Sequence, residues 1–329
     1  MTGIFNALSV KLRWVAEWRG ALQAYDRRAG RSRLPGPRKL HLQTVDRCNG
    51  ACVSCPYPAK ERSGPSRRMS EDLFDDLLQQ YARAGTVRSC LLMLQNEPFL
   101  DPGLAERIRV AKKLLGPRAV VQTVTNGTIL PDGWAATLKE AGLDQIHVSI
   151  DAATEETVRR LRPGHDFGQV RANARTLLRT FGSGVTVKFL PQRANQGEEK
   201  AFLRYWKGLG AKVKFGKLTN RAGALGDFAS LRSRRPDLAR RVLSPALRRL
   251  VPCCPLPFTA ACVLWDGRAI LCCHDWGPAD VIGDLSRERA QDVWNGSRVG
   301  RHRTLLLEGR SGQSGVCRDC SLAPVFLGE

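Results

Sequence analysis

The amino-acid sequence predicts an α/β fold with a mostly parallel sheet and a small cysteine-rich unit at the C-terminal end of the chain. Three observations predict this class. From residue 39 onward β-rich runs alternate with helical patterns, the 11 cysteines concentrate in two groups, and 43% of the 329 residues are hydrophobic, as in a globular core. Repeated strand-helix units require a parallel sheet with right-handed crossovers, and ligands of such folds gather at the C-terminal ends of the strands.

The predicted elements follow one another in a regular order. The strands are LHLQTV, SCLLMLQ, AVVQTVT, DQIHVSI, VTVKFL and AKVKFGKL. The helices between them are EDLFDDLLQQYARA, LAERIRVAKKLL, WAATLKEAG, VRANARTLLRTF and KAFLRYWKGLG. We expect a basic helical extension over 1–37, the parallel-sheet domain over 38–225, an Arg-rich helical linker over 226–252 and the cysteine-rich domain over 253–329.

Charge and hydropathy restrict the surroundings in which this chain is expected to work. It has no run of about 18 apolar residues and no signal-peptide pattern, so we expect a cytoplasmic protein without a membrane partner. In that reducing compartment clustered thiols indicate metal binding rather than disulfides. The formal charge of +21 fits nucleic acid, an anionic membrane surface, an acidic small molecule or a solvated basic face. The solvated face is favoured over nucleic acid, because aromatic and basic residues do not interleave.

The first strand leads into a loop that carries three cysteines. Cys48, Cys52 and Cys55 have the spacing C-x3-C-x2-C. Three thiolates on one loop can hold three irons of a cubane cluster and leave the fourth iron open to a ligand. A structural zinc site is the weaker alternative, because it needs four ligands and no nearby Cys or His completes the set.

This loop resembles the hallmark of the radical S-adenosylmethionine (SAM) superfamily, in which the same spacing follows the first strand of a partial (β/α)6 barrel. The resemblance implies that the three cysteines ligate a 4Fe-4S cluster whose open iron binds SAM. An electron from a donor such as flavodoxin or ferredoxin would then split SAM into methionine and a 5'-deoxyadenosyl radical. One departure is Ser54, because the family usually has a bulky residue there that packs on adenine. Tyr57 is the expected substitute.

Later strand ends match further motifs of that family. The second strand ends in Q-N-E-P, which is similar to the family's G-G-E-P motif, and Glu97 would accept a hydrogen bond from the SAM amino group. Asn126 and Ser149 follow the third and fourth strands, where family members line the SAM ribose and the substrate cavity, with Ser149 as the better ribose contact. Asp151 either lines that cavity or caps the next helix. Gln192 is a further expected SAM contact.

The C-terminal region carries the second cysteine pattern. A C-P pair, a D-G hairpin followed by G-x4-C, and a final C-x2-C together resemble the SPASM/twitch extension of radical SAM enzymes, over about residues 253 to 322. The resemblance implies one auxiliary 4Fe-4S cluster, because no further cysteine follows. Its implied ligands are Cys254, Cys272, Cys317 and Cys320.

Two vicinal pairs leave the choice of auxiliary ligands open. Cys253 is the rival of Cys254, and Cys273 is the rival of Cys272. Adjacent side chains on a strand point to opposite faces, so both members of the second pair cannot reach one cluster. The leftover cysteines, with Cys90 among them, are expected to be small buried apolar residues. The alternative is a reactive thiol, since some family members use a cysteine to donate a hydrogen atom.

These motifs predict an enzyme that abstracts hydrogen from a polar small molecule, such as a sugar, aminocyclitol or nucleoside of specialised-metabolite biosynthesis. A single auxiliary cluster is similar to the arrangement in twitch dehydrogenases and favours oxidation. Epimerisation, sulfur insertion and peptide maturation are the enzymatic alternatives, and a zinc-dependent nucleic-acid-binding protein is the alternative of another class. We expect an anionic substrate, which Lys188, Arg193 and Arg221 at the rim of the sheet would orient.

Overall fold

The computed structural model describes residues 34–57, 65–233 and 253–322. Most of the predicted N-terminal extension, the predicted linker from residue 234 onward and the last residues from 323 lie outside the described residues. The predicted domain boundaries therefore stay a prediction. No helix in the described ranges is both long and apolar enough to cross a membrane.

Nine strands form one sheet in the described part of the chain. They are β1 Lys39–Leu42, β2 Ser89–Leu91, β3 Val120–Thr125, β4 Gln145–Ser149, β5 Val185–Phe189, β6 Lys212–Phe215, β7 Ala260–Val263, β8 Arg268–Ile270 and β9 Val281–Asp284. The order across the sheet is β6-β5-β4-β3-β2-β1-β7-β8-β9. Strands β1 to β6 are parallel and lie in chain order, as in a (β/α) barrel, so the predicted α/β class is confirmed.

Helices lie between successive strands from β1 to β7, and three more helices follow β9. They are α1 Glu71–Ala84, α2 Leu104–Leu115, α3 Trp134–Glu140, α4 Glu155–Leu161, α5 Phe167–Phe181, α6 Glu199–Gly208, α7 Phe228–Leu231, α8 Leu256–Thr259, α9 Ala290–Trp294, α10 Ser297–Leu307 and α11 Gly315–Arg318. The helices predicted over 71–84 and 104–115 have the predicted ends.

Helix α1 shows why the sequence signals were reliable. The Ser70 hydroxyl accepts the Leu73 N–H at 3.2 Å and so caps the first turn, and Gly85 ends the helix in the left-handed conformation at φ 65°. Its buried side chains recur at helical spacing and are Phe74, Leu77, Leu78 and Tyr81. They pack in the same hydrophobic core as Leu40 and Leu42 of the sheet.

The cysteine-rich region extends the barrel sheet. Strand β7 pairs in parallel with β1, and β8 and β9 continue the sheet in antiparallel order. The predicted D-G hairpin is confirmed: it joins β7 to β8, and Gly267 has φ 92°, which a glycine adopts without strain. The sequence does not reveal that this region continues the sheet, because pairing between β1 and β7 joins residues more than 200 positions apart.

Candidate functional site

The three cysteines of the N-terminal motif lie together on the loop that follows β1. Cys48, Cys52 and Cys55 are half-buried, and none of them forms a disulfide. The Cys55 N–H donates to the Cys52 carbonyl at 3.1 Å, and the Val53 N–H donates to the Leu161 carbonyl at the end of α4 at 3.0 Å. The pKa of Cys48 is raised to about 12, mainly by burial and in smaller part by the charges of nearby Glu97, Cys52 and Cys55, while the Gly50 N–H opposes the rise. Three thiols on one loop are the ligands required by a cluster in which cysteines bind three irons and the fourth iron stays open to another ligand.

Asn126 holds this loop against the end of β3. Its Nδ2 donates to Asn49 Oδ1 at 2.8 Å, and its Oδ1 accepts the Thr128 N–H at 2.9 Å. Asn49 Nδ2 in turn donates to Thr128 Oγ1 at 2.8 Å. The amide predicted to contact SAM therefore positions the cysteine loop in this structure, and its contact with SAM stays a prediction.

Glu97 is a buried carboxyl group beside the cysteine loop. Its Oε1 accepts the Thr125 hydroxyl at 2.7 Å and the Phe99 N–H at 3.1 Å, and its Oε2 accepts the Asn126 N–H at 2.7 Å. Burial raises the pKa of Glu97 to about 7, against the lowering effect of these donors and of Arg162. A carboxylate can accept about four hydrogen bonds. Glu97 accepts the three bonds named above, so it can accept a hydrogen bond from one further donor. The predicted bond to the SAM amino group fits that capacity.

The other three predicted SAM contacts occupy different environments. Ser149 ends β4, half-buried, with Lys188 as its register partner on β5. Gln192 is buried, and its Oε1 has no hydrogen-bond partner, which leaves a polar atom available to a ligand. Tyr57 is also buried, and its hydroxyl donates to the Asp46 carbonyl. The structure thus packs the Tyr57 ring inside the protein, and its stacking on adenine stays a prediction.

Asp151 is not the cap of the helix that follows β4. Thr154 caps α4 instead, because its hydroxyl accepts the Thr157 N–H at 3.3 Å. Asp151 has a left-handed backbone at φ 64°, and its buried carboxylate binds Arg162, with Nε at 3.1 Å. Arg162 also lies within electrostatic reach of Cys52 and Cys48. Sequence reasoning missed Arg162, because an arginine in a polar helix end carries no motif.

The four predicted auxiliary ligands line one cavity in the C-terminal region of the chain. Its thiols are those of Cys254, Cys272, Cys317 and Cys320. Apolar side chains from α8, α10 and α11, together with His274, complete the wall. Burial raises the pKa of Cys254 and of Cys272 well above the usual thiol value, and the nearby thiols add to this effect. Four thiols facing one apolar cavity fit the donor set of a cluster that is fully ligated by cysteine.

Cys272 and Cys273 face different surroundings. Cys272 lines the cavity and Cys273 does not; Cys273 packs against the hydrophobic cluster that contains Cys262 and lies within electrostatic reach of Arg221 and of the cavity thiol of Cys320. Cys253 is buried in the hydrophobic core and is not part of the cavity wall. These placements agree with the preferred member of each pair, while ligation itself stays a prediction. Among the described residues, no three Cys, His, Asp or Glu side chains converge on one point where a single metal ion could bind.

Comparison with known proteins identifies the family. Residues 42–191 match the radical SAM superfamily, and residues 253–321 match an iron-sulfur cluster-binding domain. The chain therefore belongs to the radical SAM superfamily, and it is an enzyme of the type that carries a SPASM domain. The two domains imply a SAM-binding 4Fe-4S cluster and an auxiliary 4Fe-4S cluster, so the predicted cofactors and the predicted partial barrel are confirmed.

Individual relatives share this architecture at low sequence identity. The chain is 22% identical over 290 residues to the S-adenosyl-L-methionine-dependent 2-deoxy-scyllo-inosamine dehydrogenase of Niallia circulans, covering 88% of this chain and 95% of that protein. It is 27% identical over 178 residues to the GTP 3',8-cyclase of Limosilactobacillus fermentum, covering 54% and 52%. Its fold is similar to that of BtrN in complex with AdoMet and 2-DOIA, with a TM-score of 0.60, 20% identity and coverage of 89% and 96%.

Proposed function

We propose that this radical SAM enzyme oxidises a carbinol carbon of a polar small molecule with an anionic group, such as a phosphorylated sugar, aminocyclitol or nucleoside of a specialised pathway. The observation that carries the proposal is the cavity beside the barrel that four cysteine side chains line. The similarity to an aminocyclitol dehydrogenase over 88% of the chain supports the same reaction. The cyclase relative matches only 54% of the chain, so it supports the proposal less.

The two groups of cysteines would bind two different clusters. Cys48, Cys52 and Cys55 would hold the cluster that binds SAM, and the four cavity thiols would hold the auxiliary cluster. When bound, these groups supply a radical that removes hydrogen from the carbinol carbon and an acceptor for the second electron, while the hydroxyl proton leaves to solvent. Complete ligation by four cysteines leaves no open iron, which suits electron transfer better than substrate binding.

A group of neighbouring cations supports an anionic substrate. Lys188 and Lys214 are register partners on β5 and β6, so their side chains leave the same face of the sheet. The pKa of Lys188 is lowered to about 8, mainly by burial and in smaller part by the charge of nearby Lys214. Asp151, a carboxylate close to Lys188, is already bound to Arg162 and to the Leu190 N–H at 2.7 Å. A phosphate or carboxylate of the substrate would supply additional negative charge.

Arg221 belongs to this group and Arg193 does not. Arg221 has a left-handed backbone at φ 52°, lies 5.8 Å from the centre of the Trp276 ring and keeps a buried Nε without a hydrogen-bond partner. Arg193 donates through Nη2 to the Ala229 carbonyl at 3.3 Å, and its backbone N–H donates to the Leu231 carbonyl at 2.8 Å. We therefore leave Arg193 out of the proposed anion site, because its Nη2 and its backbone N–H both donate to α7.

Electron supply and compartment follow from the same chemistry. A reduced flavodoxin or ferredoxin is the expected donor to the SAM-binding cluster. None of the 11 cysteines forms a disulfide, which is consistent with a reducing cytoplasm. A cytoplasmic location is part of this proposal.

Epimerisation is the second candidate, and one observation favours it. The Cys273 thiol is half-buried, does not line the auxiliary cavity and lies within electrostatic reach of Arg221. A thiol near this proposed anion site could return a hydrogen atom to a substrate radical. The net reaction would then be redox-neutral.

The test is an anaerobic assay with reductant, SAM and a panel of aminocyclitols and their phosphates, including 2-deoxy-scyllo-inosamine. We expect one SAM consumed for each ketone formed, over several turnovers, with auxiliary iron and sulfide unchanged. A product that carries cluster sulfur would assign sulfur insertion. An epimer with one hydrogen from solvent that depends on Cys273 would assign epimerisation.

A further inference from the structure

A short segment after β2 contacts both cysteine-bearing parts of the molecule. The Glu97 N–H donates to the Arg47 carbonyl, next to Cys48, at 2.9 Å. Two residues earlier, Gln95 Nε2 donates to the Asp275 carbonyl at 2.7 Å. Gln95 and Asp275 are only 7% and 2% exposed, so water does not compete for this second hydrogen bond.

The Gln95 contact reaches the residue that folds the loop after Cys272. The Asp275 N–H donates to the Cys272 carbonyl at 3.1 Å. The Asp275 carboxylate accepts the N–H groups of Ala279 at 2.8 Å and Asp280 at 2.9 Å. Asp275 therefore fixes the backbone between Cys272 and Asp280, and the Asp275 carbonyl is itself bound by Gln95 of the barrel.

Asp280 connects this loop by a hydrogen bond to the segment that bears the last cysteine pair. Its Oδ2 accepts the Val316 N–H at 2.6 Å, one residue before Cys317. The backbone of Gly315 lies close to Asp280: a Cβ at Gly315 would stand 2.9 Å from the Asp280 carboxylate. Helix α11 therefore approaches this loop more closely than a larger residue at position 315 would allow. The Leu271 N–H donates to the Asp280 carbonyl at 3.1 Å. Two of the four cavity thiols are thus placed by Asp275 and Asp280.

We propose that Gln95 is a positioning residue that fixes the auxiliary cluster site relative to the SAM-binding site. Gln95 lies in the segment after β2, in which Glu97 contacts the first cysteine loop. The Gln95 amide binds the Asp275 carbonyl, and hydrogen bonds lead from Asp275 to Cys272 and, through Asp280, to the segment of Cys317. The proposal goes beyond the substrate and the net reaction, because it concerns only the mutual placement of the two sites. It holds equally for a dehydrogenase and for an epimerase.

The experiment compares Gln95→Met with Gln80→Met in the full chain. Methionine keeps the length and volume of the side chain and removes the amide. Gln80 is a matched control, because its Oε1 accepts the Ala290 N–H at 2.7 Å and so also joins the barrel to the C-terminal region. Ala290 is not close in sequence to any of the cavity cysteines. The readouts are amide hydrogen exchange of the cluster-free protein and the EPR spectrum of the reconstituted, reduced protein without substrate.

We expect Gln95→Met to speed exchange of the amides of Asp275, Ala279 and Asp280 by about tenfold, which is the loss of one buried hydrogen bond. We also expect a changed magnetic interaction between the two reduced clusters. Gln80→Met should leave both readouts at the wild-type values. Wild-type exchange and wild-type cluster interaction in Gln95→Met would overturn the proposal.

A second variant covers the case in which Gln95→Met does not fold. Gln95→Glu keeps the shape of the side chain but replaces the donor with an oxygen that repels the Asp275 carbonyl when ionised. It should show the same changes at high pH and lose them at low pH, where the protonated carboxyl can donate. Equal spectra at both pH values, identical to wild type, would also overturn the proposal. Neither variant needs turnover, so failure of the proposed oxidation leaves this test intact.

Discussion

Removal of Arg162 should destabilise the fold strongly, because it leaves a buried carboxylate without its cation. The Arg162 and Asp151 side chains are 10% and 5% exposed, and Arg162 Nε lies 3.1 Å from Asp151 Oδ2. Arg162→Met keeps much of the length of the side chain and removes the guanidinium. Asp151 then keeps the Leu190 N–H at 2.7 Å and the charge of nearby Lys188, but it loses the cation that donates hydrogen bonds to it. Loss of one partner from a buried pair costs about 3–5 kcal/mol.

The assay is urea unfolding of the cluster-free protein, with Arg159→Met as the matched control. Arg159 also pairs with a carboxylate on α4, at 3.0 Å from Glu155, but the two side chains are 74% and 71% exposed. Exposed pairs contribute about 0–1 kcal/mol. The double variant Arg162→Met with Asp151→Asn should recover part of the loss, because neither charge of the buried pair is left. Equal free energies of unfolding for the Arg162 and Arg159 variants would refute the reasoning.

Three further predictions address the candidate ligands, the buried carboxyl group and the cation group. Cys272→Ala should lose auxiliary iron and Cys273→Ala should keep it, and loss only in the second would reverse the assignment. Glu97 has a pKa of about 7 in the fold against 4.5 unfolded, so its ionisation lowers stability as pH rises from about 5 to 8, by about 3 kcal/mol at most. Glu97→Gln should therefore flatten that pH dependence in urea unfolding of the cluster-free protein, and an unchanged slope would contradict the raised pKa. Lys188→Met should raise the KM of an anionic substrate about tenfold with SAM binding unchanged, and an unchanged KM would remove this lysine from the anion site.

The parts of the fold that depend on local signals were predictable from the sequence. Helix α1 has a Ser cap, buried residues at helical spacing and a terminal glycine, and its predicted ends match those observed. The strands β1, β3, β4 and β5 each bury alternate residues. Residue spacing predicts both the three-cysteine loop and the hairpin at Gly267. Such signals lie within a few residues of one another, so no knowledge of the tertiary structure is needed.

Contacts between distant parts of the chain were not predictable. The pairing of β7 with β1 and the bond from Gln95 to Asp275 join residues 180 positions apart or more. The sequence offers Asp151 as a helix cap, because an Asp after a strand commonly has that role. Its left-handed backbone and its pairing with Arg162 appear only in three dimensions. The Nη2 donor of Arg193 likewise bonds to a residue 36 positions further along the chain, so the sequence does not reveal this contact.

The measurement that tests the central claim most directly is 5'-deoxyadenosine production by a variant in which Cys48, Cys52 and Cys55 are all changed to Ala. The reconstituted variant is incubated anaerobically with SAM and dithionite, and its iron is counted in parallel. We predict no 5'-deoxyadenosine above the level without protein, while about four irons per chain stay in the auxiliary site. Unchanged production of 5'-deoxyadenosine by this variant would contradict the assignment of these three thiols to the cluster that cleaves SAM.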